Sequence, residues 1–244
     1  MFHFKTFSLH HEKSTLKIGT DSVLLASIVP VNLVNSVLDI GCGCGVIAFC
    51  LACKMQPITH PENSALSKQI TGIDIDESSI KEAILNHEIF PKDSSFSFDF
   101  QKISLQDFAK QHFQKFDLIV SNPPYFSHSL KPDEQNRRKS KHRDENLSFE
   151  ELIHSVLKLL NDEGVFYLIL PPPEQKEFEK IASGKLYLFE QWEISPTPYK
   201  KANRLISGYR LQKRETIQRK KLIIRGEDQQ FTSDYKKLTG VFYL

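Results

Sequence analysis

Three glycines at alternate positions constrain this chain more than any other feature in it. Gly41, Gly43 and Gly45 stand in the run Asp39-Ile40-Gly41-Cys42-Gly43-Cys44-Gly45. The short apolar run Val37 to Ile40 leads into them, and Val46 to Cys53, apolar nearly all round, follows. The first reads as a buried strand and the second as a helix packed on a sheet. Between them, glycine lets the backbone turn sharply and approach a ligand closely. A strand, a glycine loop and a helix in that order open a βα unit, so an α/β architecture is expected.

The remaining chain continues the alternation. An extended N-terminal segment (Phe2, Phe4, Phe7, Leu9) leads to Gly19-Thr20-Asp21, where Asp21 is the expected N-cap of a helix running to about Val29 and stopped by Pro30. Met55 to Lys68 is polar with two prolines and reads as a surface insertion. Ile70 to Ile75 is the second strand. Asp76 or Ser78 caps the next helix, with Ile80, Ala83, Ile84 and His87 on it. Phe96 to Ile103 and Phe116 to Ser121 are the third and fourth strands. Ser148-Phe149-Glu150-Glu151 is a capping-box pattern, opening a helix that carries Phe149, Leu152, Ile153, Val156, Leu157 and Leu160. Gly164 is expected to end that helix, with Val165 to Leu170 as the fifth strand. Trp192 to Ser195 and Arg204 to Leu211 complete the set. Strands alternating with helices predict a mostly parallel sheet covered on both faces. All 244 residues are expected to form a single domain, with 1–35 packed on the core as an N-terminal extension.

The longest apolar stretches, such as Val23 to Val31, are far shorter than the roughly 20 residues of a membrane span. Met1 to Lys17 carries too many His, Lys and Glu residues for a secretory segment, so a cytoplasmic protein is expected. The four cysteines, 42, 44, 50 and 53, crowd into the first βα unit and read as small packing residues. No second Cys or His cluster completes a ligand set, so neither a disulfide framework nor a metal is expected. Charge is uneven. Lys131 to Arg143 holds six Lys or Arg against two acids, and Lys200 to Arg225 holds ten against Glu215 alone. Blocks of this kind suit a polyanion.

The glycine spacing and its flanking acids point to a class of cofactor. A dinucleotide fingerprint is G-x-G-x-x-G, with a pyrophosphate at the helix N-terminus. Here the spacing is G-x-G-x-G with Asp39 before it, which suits positive charge rather than phosphate. S-adenosylmethionine carries an ammonium and a sulfonium. Asp74, ending the second strand, can accept both ribose hydroxyls. The pattern resembles the first two motifs of class I methyltransferases.

Asn122-Pro123-Pro124-Tyr125 closes the fourth strand. Open α/β sheets bind ligands at the carboxyl ends of their strands, so this motif is expected to face the cofactor. An amino group on adenine is a poor nucleophile, because its lone pair is delocalised into the ring. The Asn122 side-chain carbonyl and the Pro123 backbone carbonyl can each accept one N–H, favouring a nitrogen that moves toward tetrahedral. The prolines fix φ and hold the carbonyls in place. Tyr125 offers a face on which a base can stack. The tetrapeptide looks like that of methyltransferases acting on amino nitrogens of adenine, guanine or glutamine.

The resemblance extends to both ends of the chain. His11-Glu12-Lys13, Leu16-Lys17-Ile18-Gly19-Thr20-Asp21 and Leu24-Leu25 resemble the N-terminal segment of the bacterial tRNA1(Val) adenine-N6 methyltransferases. So does the C-terminus, from Ile224-Arg225-Gly226-Glu227-Asp228-Gln229 through Phe231, Ser233, Tyr235 and Leu238-Thr239 to Phe242-Tyr243-Leu244. The resemblance implies a Rossmann-like class I methyltransferase fold with a seven-stranded, mostly parallel sheet. It implies S-adenosylmethionine held by Asp39, Gly41 and Asp74, with Gly43 and Gly45 in the same loop and Thr20 and Asp21 nearby. Such enzymes often carry an Asp after the third strand against the cofactor adenine; this chain has Ser104 there, with Asp107 three residues on. The implied substrate is the adenine 3′ of the anticodon in a tRNA stem-loop, methylated by a monomer. Arg137, Arg138, Lys139, Lys141 and Arg143, beside the Asn-Pro-Pro-Tyr motif, are expected to meet its phosphates. Competing readings are a guanine-N2 methyltransferase of rRNA, a glutamine methyltransferase acting on a release factor, and a non-catalytic RNA-binding relic. The glutamine enzymes are expected to carry an extra helical N-terminal domain, for which a glycine loop starting at Gly41 leaves no room. The intact Asn122 and both acids argue against the relic.

Overall fold

The structure is a computed structural model and describes residues 1–14, 17–55, 67–91, 95–123 and 147–243. Two short antiparallel strands, β1 (Phe2–His3) and β2 (Ser8–Leu9), open the chain. There follow α1 (Thr20–Ile28), β3 (Ser36–Ile40), α2 (Val46–Met55), β4 (Lys68–Asp74), α3 (Glu77–Ile89), β5 (Phe96–Lys102), α4 (Leu105–Gln111) and β6 (Phe116–Ser121). Beyond residue 147 come α5 (Phe149–Leu159), β7 (Leu160–Leu170), α6 (Pro172–Ala182), β8 (Tyr187–Ser195), β9 (Arg204–Arg210), β10 (Gln218–Ile223) and α7 (Ser233–Thr239).

The main sheet runs β10-β8-β9-β7-β6-β3-β4-β5, and β9 alone opposes the other strands. Among the described residues it has eight strands where seven were expected. The extra one is β10, an edge strand in which only Leu222 is buried. An edge strand needs no apolar alternation, and lysines on it discourage pairing with another chain. Here Lys220 bonds Glu190 at 2.6 Å and lies 4.9 Å from the centre of the Trp192 ring.

The continuous apolar runs are strands buried on both faces. In β7, Val165, Tyr167 and Ile169 enter one core with α1, α2 and α7, while Phe166, Leu168 and Leu170 enter the other with α4, α5 and α6. The capping box of α5 forms as read: Ser148 Oγ accepts from the Glu151 amide, and the Glu151 carboxylate accepts from the Ser148 amide at 2.9 Å. Gly164, however, does not end that helix. α5 stops at Leu159, and Gly164 lies inside β7 beside an irregularity against β6. A Cβ there would come within 3.0 Å of the Phe116 carbonyl, so the residue permits close strand approach.

Two further expectations shift. α1 is capped at Gly19 without a side-chain bond, and Asp21 sits in its first turn, ion-paired with Arg204 at 2.7 Å. In α3, Asp76 does cap the helix, its carboxylate accepting from the Ser79 amide at 2.9 Å. Ile80 and Ala83 are buried, but Ile84 is 44% exposed and His87 is exposed. The inward face carries Glu82 and Asn86 instead. Both serve the backbone of the N-terminal segment. Glu82 accepts from the amides of Lys13 and Ser14, at 3.0 and 2.8 Å. Asn86 exchanges bonds with His10 and also donates to the Cys44 carbonyl at 3.0 Å. Buried polar side chains persist where they satisfy backbone groups that would otherwise be orphaned. The segment is thereby strapped across α3 onto the glycine loop. The surface insertion read over Met55 to Lys68 lies largely outside the described residues; Met55 ends α2 and Lys68 starts β4.

Candidate active site

The carboxyl ends of β3, β4 and β6 converge where the sequence motifs stand. The glycine loop leaves β3 and leans on β4: the amides of Gly41 and Cys42 both donate to the Ile73 carbonyl, at 2.9 and 3.0 Å. All three glycines have positive φ, at 70°, 55° and 83°. Only glycine takes that conformation without strain, which is why they alternate there. Asp74 fastens the loop from beneath. One of its carboxyl oxygens accepts from the Gly43 amide and the other from the Asp76 amide, each at 2.9 Å. Burial raises its pKa, and those two amides oppose the rise.

The loop forms one wall of a small pocket open to solvent. Gly41, Cys42, Gly43 and Cys44 line it, with Val46 and Ile47 from α2. Asn122 closes it from β6, and Lys17 and Ser22 close it from the N-terminal side. Ser121 Oγ donates to the Ile40 carbonyl at 3.1 Å, fixing the β6 end that carries Asn122 against β3. Asn122 Nδ2 donates to Ser22 Oγ at 3.0 Å.

Asp39 is fully buried, and neither of its carboxyl oxygens has a hydrogen-bond partner of good geometry. Burial pushes its pKa up to about 7; the Ala48 backbone N–H pulls the other way, and the negative charge of Asp74 adds to the rise. An uncompensated acid here is suited to a cation. At Gly41 a Cβ would meet no protein atom within 4 Å, so the loop leaves space on the side where a ligand can press against its backbone. The buried acid and the open face of the loop fit a ligand bearing positive charge. The cysteines serve as packing. Burial pushes the Cys44 thiol up to about 12 and raises those of Cys42 and Cys50 well above their usual range.

The structure sorts the other site candidates. Thr20 is exposed and Asp21 is committed to Arg204, so their neighbours Lys17 and Ser22, rather than they, line the pocket. Ser104 is the N-cap of α4: its hydroxyl accepts from the Asp107 amide at 3.1 Å and donates to the Asp107 carboxylate. Pro123 follows Asn122 at the end of β6, while Pro124, Tyr125 and the basic residues Arg137, Arg138, Lys139, Lys141 and Arg143 lie outside the described residues. The second basic run does not form one patch. Lys200, Lys201, Arg204 and Arg225 lie at the pocket end of the sheet, whereas Arg210, Lys213 and Arg214 lie at the other end, roughly 20 Å away along β9.

Fold and site together define a class I S-adenosylmethionine-dependent methyltransferase. A family model described as a methyltransferase domain matches residues 35–216. Among solved structures, a predicted O-methyltransferase from Agrobacterium tumefaciens shares the fold with a TM-score of 0.65 at 20% identity, over 91% of this chain and 96% of that one. A ribosomal protein L11 methylase from Lactobacillus delbrueckii matches with a TM-score of 0.52 at 16% identity, over 78% and 77%. Such different substrates on one fold leave the choice of substrate to the site and to closer kin. The tRNA1(Val) (adenine(37)-N6)-methyltransferase of Flavobacterium johnsoniae is 33% identical over 100% of this chain and 99% of its own length. The enzymes of that name from Bacteroides fragilis and Pseudoalteromonas translucida are 33% and 32% identical, again over 100% of this chain and over 97% and 98% of theirs. The chain belongs to the tRNA1(Val) (adenine(37)-N6)-methyltransferase family.

Proposed function

We propose that this protein methylates N6 of adenine 37, beside the anticodon of tRNA1(Val), as a single-domain monomer in the cytoplasm. The observation that carries this reading is the placement of Asn122 in the wall of the pocket that the glycine loop also lines. Bound S-adenosylmethionine supplies an electrophilic methyl group. The protein supplies acceptors: the Asn122 side-chain carbonyl and the Pro123 backbone carbonyl each take one N–H of the adenine amine, so that its lone pair is drawn out of the ring. Gly41 and Gly43 would hold the cofactor through their backbone, with Asp74 fixing the loop, and Asp39 would supply a negative charge behind the loop that favours a cation. Tyr125 stacks the base, and the basic residues from Arg137 to Arg143 meet phosphates. The test is to incubate the protein with labelled cofactor and total tRNA from a strain lacking the gene. Mass spectrometry should find N6-methyladenosine at position 37 of one valine tRNA; label at guanine N2, or in protein alone, refutes the reading.

The raised pKa of Asp39 makes cofactor binding pH-dependent. Below about pH 7 the carboxyl is largely protonated in the apo protein, and a cation must displace that proton. Affinity should therefore rise about 10-fold from pH 6 to pH 8 and level off above, with proton release at the lower pH. For folding the sign is opposite. The unfolded chain ionises this acid near pH 4 and the folded apo protein near 7, so apo stability falls as pH rises across that window and is flat above it. Calorimetry in buffers of differing ionisation enthalpy reads the first effect. Equal affinities at both pH values, matched by Asp39→Asn, would remove Asp39 from the role.

A further inference from the structure

The C-terminal motif from Ile224 to Phe231 takes no part in the chemistry above, yet it is closely organised. Beyond β10 the chain makes a small hairpin, closed by a bridge between Arg225 and Phe231. The Gly226 amide donates to the Gln230 carbonyl at 2.9 Å, and the Asp228 carboxylate accepts from the Gln230 amide at 2.9 Å. Gln229 has a φ of 61°, which a residue with a side chain keeps only where its surroundings enforce it. The Gln229 carbonyl accepts from Arg225 Nη1 at 2.7 Å. The same guanidinium lies over the Phe231 ring, 4.1 Å from its centre, and that ring stacks on buried Tyr235 at 4.7 Å. Arg225 and Phe231 are both exposed. An arginine normally loses rotamer freedom when it binds, and here much of that freedom is already gone. Nε and Nη2 keep N–H groups for another acceptor, in the fork that matches two phosphate oxygens. No ion pair among the described residues claims Arg225. Of the acids beside it, Glu227 accepts from the Tyr199 hydroxyl and Asp228 holds the Gln230 amide.

The hairpin is fixed to the pocket end of the sheet. The Ile224 and Arg225 amides donate to the Ser195 and Pro196 carbonyls, at 2.9 and 3.0 Å, where the chain leaves β8. The turn that follows carries exposed Lys200 and Lys201 and runs into β9 at Arg204. β10 lies four strands from β6, roughly 20 Å at ordinary strand spacing. That separation is too great for the target nucleotide and suits the stem behind it. We propose that Arg225, backed by Phe231, is a preorganised clamp for a backbone phosphate in the anticodon stem of the tRNA substrate. The proposal rests on the tRNA reading above and adds to it a contact surface at the β10 edge.

The experiment measures Kd for an unmodified tRNA1(Val) transcript across a range of salt concentrations. It compares wild type with Arg225→Gln, Arg225→Lys, Phe231→Leu and, as control, Lys213→Gln at the other end of the sheet. Arg225→Gln should weaken binding about 10-fold or more and lower the log–log salt slope by about 0.7–0.9. Arg225→Lys should keep the slope but lose affinity, because an ammonium cannot form the fork. Phe231→Leu should do the same, since it unpins the guanidinium without removing its charge. Lys213→Gln should match wild type. Cofactor affinity by calorimetry should be unchanged in every variant, and single-turnover methyl transfer at saturating tRNA should stay within about twofold of wild type. Wild-type affinity and slope in Arg225→Gln overturns the clamp. So does an equal loss in Lys213→Gln, an Arg225→Lys protein that binds as wild type, or a tRNA defect accompanied by a cofactor defect. A wild-type protein that binds no tRNA overturns the underlying reading instead, an outcome distinct from tight binding that ignores Arg225.

Discussion

Asn122→Ala should lower kcat by about 100-fold or more while cofactor and tRNA affinities stay close to wild type. That is the usual consequence of deleting one preorganised electrostatic contact. The effect falls on kcat because the amide is worth most when charge develops on N6, later than binding. The local structure should survive. Asn122 is half-buried at the end of β6, past the last ladder pair at Ser121, so truncation opens no core cavity. Asn122→Asp should retain substantial activity, since a carboxylate also accepts an N–H. Single-turnover rates on unmodified tRNA decide the matter, and near-wild-type transfer by Asn122→Ala would sink the mechanism.

Gly45→Ala should destabilise the protein by about 2–5 kcal/mol. Two causes add. The residue has φ of +83°, which costs an L-residue about 1–2 kcal/mol. Its new Cβ would lie 2.7 Å from Phe49 Cε2 and 3.2 Å from the Phe100 ring, and overpacking of this kind costs about 1–3 kcal/mol. Phe49 has little room to yield, fully buried with the Phe90, Phe98 and Phe100 ring centres 4.9, 5.2 and 5.5 Å away. Gly184→Ala is the built-in control: φ is 76° there but nothing lies within 4 Å of a Cβ, so only the backbone term of about 1–2 kcal/mol remains. Thermal melts should show a Tm loss on the order of 10 °C for Gly45→Ala and a few degrees for Gly184→Ala. Equal losses would mean that the aromatic cluster yields and that the loop is less tightly packed than its geometry implies.

What could be read from the sequence was local. The glycine loop, Asn122 and the capping box at Ser148 are each legible within a few residues; the loop and Asn122 line one pocket, and the box forms at the start of α5. What escaped depends on partners far along the chain. Glu82 and Asn86 look like solvent residues on a helix until the backbone of residues 10 to 14 is laid over them. Ser22 is an ordinary helix serine until Asn122 arrives. Asp21 offers a plausible cap, and a cation 183 residues away claims it instead. β10 carries no hydrophobic period because it borders solvent. α4 and α6 are short amphipathic pieces between strands, and Ser104, expected near the cofactor adenine, also caps the first of them.

The N-terminal strap bears on the order in which the fold closes. The Lys5 amide donates to the Phe242 carbonyl at 2.8 Å, and the Phe4 ring stacks on Tyr243. Contacts so far apart in sequence reward the chain only after the elements between them have formed, because the closure entropy must be met first. The segment bearing Lys17 and Ser22 therefore gains this part of its anchorage late, after β3, β6 and the glycine loop have come together, and the cradle is built before its last wall is fastened.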